Sequence, residues 1–220
     1  MNPLALSHAL RVPRGNNFFE FNLLAYGLSI DELAGKLILD VGSCDLGIFA
    51  RVAQLFGANV VALDPLYRHG GTETYVHETI VIEAPEFNIP RRELPPVNSS
   101  VAGLAQELPF ADGVFDTVVS YSAFPLYVLP EDYCRVVEEL LRVTKCGGTI
   151  HLAPVPDKAE DYGVQTLAMF GGYDLFSYDP QAFAQAIGVA QTKIANTVFH
   201  QYHLPDPSVE PSIGVVITKK

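Results

Sequence analysis

The sequence predicts an α/β fold: a doubly wound, mostly parallel seven-stranded sheet with an antiparallel final strand and helices on both faces. Three observations carry this. The run Lys36–Val41, a helical pattern over 46–56 and the apolar run 59–63 make a strand–helix–strand unit with short links, whose crossover should be right-handed. The same alternation returns at 114–120, 130–143 and 149–153. Two last runs, 192–200 and 213–218, follow with no helical crossover between them, which favours an antiparallel final hairpin.

Each element has a local reason. Pro3, Pro13 and Gly15 keep residues 1–15 irregular. Phe18, Phe19, Phe21, Leu23, Leu24 and Tyr26 form a dense apolar segment, read as a helix ending at Gly27, so that residues 1–30 are a helical and irregular lead-in. Ser29 with Glu32 has the spacing of a capping box. Lys36–Val41 and Asn59–Leu63 are continuous apolar runs, as expected of parallel strands covered on both faces. Between them Leu46, Phe49, Ala50, Ala53 and Phe56 share a helical face, and Gly57 closes it. Thr74–Glu83 reads as a strand or a weak helix. Residues 84–98, with Pro85, Pro90, Pro95 and Pro96, read as a Pro-rich loop insertion, and a third strand follows near 99–104. Val114–Ser120 is a strand, Pro130 opens a helix running to about Val143, and Gly147–Gly148 turn the chain into Thr149–Ala153. Tyr178–Ile187 is a helix closed by Gly188. The whole chain, 1–220, is expected to be a single domain.

Composition narrows the function classes. Of the 220 residues 49% are hydrophobic and 18% charged, enough apolar material for a sizeable core and too little charge for a disordered chain. The formal net charge of −11, with no Lys/Arg cluster, argues against nucleic acid and anionic membranes as partners. A small-molecule substrate remains. Cys44, Cys134 and Cys146 are sparse, odd in number and not spaced for zinc, which suggests a reducing compartment, the cytoplasm. No signal-peptide pattern opens the chain, and no apolar stretch reaches the ~20 residues of a membrane helix.

In an open α/β sheet, ligands bind beyond the carboxyl ends of the strands, at the switch point. The first such end is Asp40-Val-Gly-Ser-Cys-Asp-Leu-Gly47, where Gly42 and Gly47 allow close backbone approach. The second strand ends in Asp64, whose carboxylate can accept hydrogen bonds from both hydroxyls of a ribose. A nicotinamide dinucleotide fits less well: its fingerprint needs a second glycine where Cys44 stands, and Asp40 and Asp45 would repel a pyrophosphate. A cationic, phosphate-free cofactor tolerates those acids.

Four motifs in order carry a resemblance. Leu37-Ile-Leu-Asp-Val-Gly-Ser43 resembles the first motif of class I S-adenosylmethionine-dependent methyltransferases, and Val60-Val-Ala-Leu-Asp-Pro65 their acidic second motif. Ala105-Gln-Glu-Leu-Pro-Phe110 with Gly113-Val-Phe-Asp-Thr-Val-Val-Ser120 looks like the signature around their fourth strand. Glu138-Glu-Leu-Leu-Arg-Val-Thr-Lys-Cys-Gly-Gly-Thr-Ile150 looks like their next helix, glycine turn and fifth strand. The resemblance covers residues 30–200 and implies S-adenosylmethionine as cofactor. By position it implies that Asp40, Gly42, Ser43, Cys44 and Gly47 line the methionine end and that Asp64 binds the ribose. Pro65 and Leu66 would lie beside the adenine, Ala105 and Gln106 at its edge, and Ser120 and Tyr121 near the methyl group. The chain departs from the pattern at Cys44, in place of a glycine, at Gly47, one place late, and at Leu104, where the family often holds the adenine amino group with an Asp.

The resemblance implies methyl transfer to a small or medium-sized acceptor by in-line displacement, with no base that the sequence identifies. A non-catalytic binding or regulatory protein on the same fold is the alternative, favoured by Cys44 and Leu104. Cys44 has no basic neighbour in sequence to activate it as a nucleophile. His69, His77, His151, His200 and His203 form no helical metal pair, and no metal is expected. Tyr121, Phe124, Tyr127, Tyr162, Phe170, Tyr173 and Phe176 stand where aromatics could wall a substrate pocket, with Gly171–Gly172 as a hinge.

Overall fold

A computed structural model describes residues 22–43, 47–65, 67, 81–84, 89–93, 95–121, 123–155, 178–202 and 212–220. Its main sheet has seven strands: β1 (Leu37–Val41), β2 (Asn59–Leu63), β5 (Ser99–Val101), β6 (Phe115–Tyr121), β7 (Thr144–Ala153), β8 (Ile194–Tyr202) and β9 (Ser212–Lys219). Their order is β5-β2-β1-β6-β7-β9-β8. The first five are parallel. β9 runs antiparallel to both β7 and β8, the final hairpin that the sequence predicts.

Two helical layers cover the sheet, and strand alternation assigns each side chain to one of them. Ile38, Val60, Ala62, Val119 and Ala153 pack with residues 22–26 and helix α1 (Ile48–Ala53). Leu39, Val41, Leu63, Val118, Ile150 and Leu152 pack with α2 (Tyr133–Val143) and α3 (Pro180–Val189). α2 buries Tyr133, Val136, Val137, Leu140, Leu141 and Val143, one face of a 3.6-residue repeat, over β6 and β7. The switch in strand order falls between β1 and β6, which opens a crevice at their carboxyl ends.

Several expectations change. The span 84–98 is not only a loop: β3 (Val81–Ala84) and β4 (Ile89–Glu93) form a separate antiparallel ribbon. Pro90 falls at the register shift, between the paired positions Ile89 and Arg92, the kind of irregularity at which strands tolerate proline. Gly188 lies inside α3 rather than ending it, and a 3-10 turn, Ala190–Lys193, finishes the element. α3 begins at Asp179, which accepts from Gln181 N at 2.8 Å and Ala182 N at 3.0 Å. β7 starts at Thr144, before the glycine turn, with Gly147 at φ 74° as a kink within it. The expectations for 1–21, 74–80 and 156–177, with Tyr162, Phe170, Gly171–Gly172, Tyr173 and Phe176, lie outside the described residues, as do Cys44, Asp45, Leu46, Leu66, His69, His77 and His203.

Candidate functional site

The crevice is built by the turns that leave β1, β2 and β6. After β1, Gly42 N and Ser43 N both donate to Leu63 O, at 2.8 and 3.2 Å, which ties the turn to the end of β2. Gly42 sits at φ 73°, and a Cβ there would run into Ala123 Cβ on the loop after β6. Only glycine allows that turn and that approach together. Ser43 Oγ and Tyr67 OH share a hydrogen bond of 2.7 Å. Gly47, at φ 52°, caps α1, and a Cβ there would lie 2.7 Å from Val97 Cγ2.

Strand parity puts Asp40, in step with Ile38, and Asp64, in step with Val60 and Ala62, on the α1 face of the sheet. Both are buried, 3% and 6% exposed. No ion-pair or hydrogen-bond partner for the Asp40 carboxyl is found among the described residues. Burial, and then the charge of Asp64, push its pKa up to about 7. The crevice thus carries an acidic pair, with no cation in contact with Asp40 among the described residues. That charge favours a cationic or hydroxyl-bearing guest and disfavours a phosphate.

The other expected residues fall into three groups. Pro65 follows Asp64 and is exposed. On the β5 side of β2, Asp64 N donates to Val101 O at 3.2 Å, and past Gly103 the chain holds Leu104 at 45% exposure, Ala105 buried and Gln106 half-buried. The Gln106 amide donates to Asp132 Oδ2 at 3.3 Å. At the end of β6, Tyr121 faces the crevice side, while Ser120 is turned to the opposite layer and fully buried, its Oγ accepting from Phe124 N at 3.1 Å. Phe124 likewise belongs to the opposite core, against Tyr133 and Phe183, and is no pocket wall. Tyr127, on the same loop, is 43% exposed, and its N–H donates to Ala123 O.

The structure also brings in Tyr26, which the sequence suggests only as part of an apolar helix. Its ring stands edge-on to Phe49 in the first turn of α1, centroids 5.5 Å apart, and to Tyr121, 6.3 Å apart. Burial first, then Asp40, raise its pKa well above the usual phenol range. The one local signal is a polar-tipped aromatic just before the chain-reversing Gly27, at φ 64°.

Histidines hold this segment. Since a carbonyl only accepts, His151 Nδ1 donates to Tyr26 O at 2.7 Å, and Thr149 Oγ1 then donates to His151 Nε2 at 2.8 Å. Burial brings the His151 pKa down to about 4, so the ring is neutral and both nitrogens are engaged. His200 Nε2 donates to Ala25 O at 3.0 Å. Among the described residues, no three His, Cys, Asp or Glu side chains are grouped to hold a metal ion. Nor is any described helix long and apolar enough to cross a membrane.

The profile of a family described as a methyltransferase domain matches residues 39–152, more than half of the chain. No curated protein matches the chain. Among solved structures, an S-adenosylmethionine-dependent methyltransferase from Thermotoga maritima superposes with a TM-score of 0.59 at 14% identity, over 99% of this chain and 97% of its own. One from Methanosarcina mazei gives 0.54 at 17%, over 86% and 94%. The magnesium protoporphyrin IX methyltransferase of Synechocystis, solved with S-adenosylhomocysteine, gives 0.54 at 16%, over 94% and 84%. At these identities the likeness is one of fold.

Proposed function

The chain belongs to the methyltransferase domain family, with S-adenosylmethionine as methyl donor, and from that premise we propose that it methylates a small or medium-sized acceptor by in-line displacement in the crevice between β1 and β6. The observation that carries this is the acidic pair Asp40–Asp64, buried on one face of the sheet at the ends of two adjacent strands, beside a turn that only Gly42 can make. The donor supplies a methyl group already activated on a sulfonium.

The chain's own residues bind and align. Asp64 accepts from the ribose hydroxyls. Asp40, beside the Gly42–Ser43 turn, offers its carboxylate to the positive methionine end. Ala105 and Gln106 lie along the adenine edge, and Leu104 covers it with apolar surface in place of an acceptor. Tyr121 and Tyr127 border the side from which an acceptor enters. Alignment is the main catalytic resource in such a transfer, because a bound near-attack geometry replaces an improbable encounter. The net charge of −11 supports a small molecule rather than nucleic acid as acceptor. Unbridged Cys134 and Cys146 suit a reducing cytoplasm.

Calorimetric titration of S-adenosylhomocysteine into wild type and Asp64→Ala tests the reading. Hydrogen bonds to a charged group are worth ~1.5–3 kcal/mol each, so affinity should fall about tenfold to several hundredfold with the melting temperature little changed. Equal affinity in a folded Asp64→Ala protein would remove the ribose role. Leu104, exposed where the family often has an acceptor, favours a second reading, a non-catalytic binder. Binding of both S-adenosylmethionine and S-adenosylhomocysteine with no methyl loss across an acceptor panel would favour that reading.

A further inference from the structure

Among the described residues the main sheet ends in β5 on one side and β8 on the other, and the two edges differ. An open edge presents unpaired N–H and C=O groups, and proteins usually keep it short, charged or interrupted by proline. β5 is three residues long. β8 is nine residues long and carries no Asp, Glu, Lys, Arg or Pro. Its only strand partner among the described residues is β9. A register shift lies between Ile194 and Asn196; from Asn196 to Tyr202 the ladder runs regularly against Ser212–Thr218. This regular stretch exposes Val198 at 46% and Phe199 at 60%, on opposite faces of the sheet. Val198 shares its face with His200, whose Nε2 donates to Ala25 O at 3.0 Å. The segment 22–26, with Leu24 at 60% exposure, therefore flanks that face of β8. A long, uncharged edge with exposed apolar side chains is a template for another strand.

We propose that β8 is a homodimer interface: two copies of this chain pair their β8 edges antiparallel about a twofold axis and join two seven-stranded sheets into one. Charge selects the place. A chain with a formal net charge of −11 repels a second copy over most of its surface, and β8 is a strip of nine uncharged residues where that approach is least opposed. Such a strip offers nothing to a cationic partner, whereas a strand edge is its own complement under a twofold axis. The register that uses all of Asn196–Tyr202 sets Phe199 opposite its own counterpart and Val198 opposite His200. Area sets the strength. At ~3.4 Å per residue the regular stretch is about 24 Å long, and with the segment 22–26 beside it about 20 Å wide, so each copy buries ~500 Å². The total of ~1,000 Å² is at the low end for specific interfaces, so the dimer forms at micromolar rather than nanomolar concentration. β8 lies three strands from β6, and pairing there leaves the crevice open.

Sedimentation velocity on the full chain, from about 1 to 300 µM, tests the pairing. Wild type should move from 24.0 kDa toward twice that mass as concentration rises. Added salt should strengthen the association, because screening weakens the repulsion between two acidic chains. Phe199→Lys sets like charges opposite each other and should weaken the association about tenfold to a hundredfold. Its melting temperature in dilute solution should hold, since Phe199 is exposed. Cysteine variants check the register independently. Phe199→Cys should cross-link on mild oxidation above the wild-type background of Cys134 and Cys146, because directly opposite Cβ atoms lie about 5 Å apart, near disulfide reach. Gln201→Cys, opposite Thr197 in this register, should not exceed that background. A wild type that stays monomeric across the range, or a dimer that Phe199→Lys leaves intact, overturns the proposal. Failure of Phe199→Cys to cross-link overturns the antiparallel pairing. A monomeric wild type whose Phe199→Lys variant melts lower also overturns it, and shows that another part of the same chain covers β8.

Discussion

At the amino ends of β1 and β6, Asp116 takes hydrogen bonds from Lys145 Nζ at 2.7 Å and Leu37 N at 2.9 Å. Nearby on α2, Glu139 accepts from Arg142 and from Leu108 N, and Arg142 also caps the carbonyls of Leu108 and Phe110. Lys145 and Arg142, respectively, hold Asp116 and Glu139 below the usual carboxylate range. At the carboxyl ends of the same strands Asp40 is buried with no such partner among the described residues, and its pKa moves the other way. One sheet therefore keeps two regimes of charge. At the amino ends the chain completes its acids itself, whereas at the crevice Asp40 has no such partner among the described residues.

The largest effect should come from filling the crevice. Gly42→Ala places a methyl group against Ala123 and forces a left-handed backbone that costs an ordinary residue about 1–2 kcal/mol. S-adenosylhomocysteine affinity should fall about a hundredfold or more, since both collision and strain act at the methionine end. Gly42→Ala with Ala123→Gly removes the collision but not the strain, so it should regain about half of that loss on a logarithmic scale. A single mutant that binds like wild type would show that the turn merely connects β1 to α1.

The next effect belongs to the other end of the sheet. Arg142→Met strips Glu139, Asp112 and two carbonyls of their donor at a side chain 30% exposed. The loss should be about 2–3 kcal/mol, or a melting temperature lower by about 5–10 °C. Cofactor affinity should stay within twofold. A large affinity loss at unchanged stability would reverse the division drawn between the two ends.

How much of this was legible in the sequence follows the same line. Asn59–Leu63 and most of Lys36–Val41 read correctly because strands covered on both faces are apolar throughout, and α2 because its buried face repeats at helical spacing. Asp40, Gly42 and Asp64 stand out since strand ends and glycine turns are local features. The ribbon β3–β4 stayed hidden because Pro90 reads as a breaker until a register shift accommodates it. Gly188 misled because a helical glycine and a capping glycine differ only in backbone conformation, which its neighbours decide. Tyr26 was invisible as a crevice residue for a deeper reason: its position depends on two histidines far along the chain.

The smallest effect, and the most direct comparison of the two regimes, is the pH dependence of ligand-free stability. Asp40 titrates near 7 in the fold against an ordinary value of 3.8, so between those values the folded state binds more protons than the unfolded. Its contribution is full below about pH 4 and is lost as pH rises through 7. His151 does the opposite. Its folded value of about 4 lies below the ordinary 6.5, so its contribution is full above about 6.5 and is lost as pH falls through 4. Over pH 4–6.5 the two slopes oppose, and wild type should show a shallow profile from this pair. Differences from wild type isolate each group, because depressed carboxylates such as Asp116 and Glu139 act below about pH 4.5 and cancel in the subtraction. Relative to wild type, the melting temperature of Asp40→Asn should climb as pH rises from 4 to 7, and that of His151→Gln should decline from 4 to 6.5. Saturating S-adenosylmethionine should flatten the Asp40 difference, since a cation beside the carboxyl restores its ordinary charge, and should leave the His151 difference in place. An Asp40→Asn profile parallel to wild type would mean that Asp40 is ionised and partnered like Asp116, and the contrast between the two ends of the sheet would not hold.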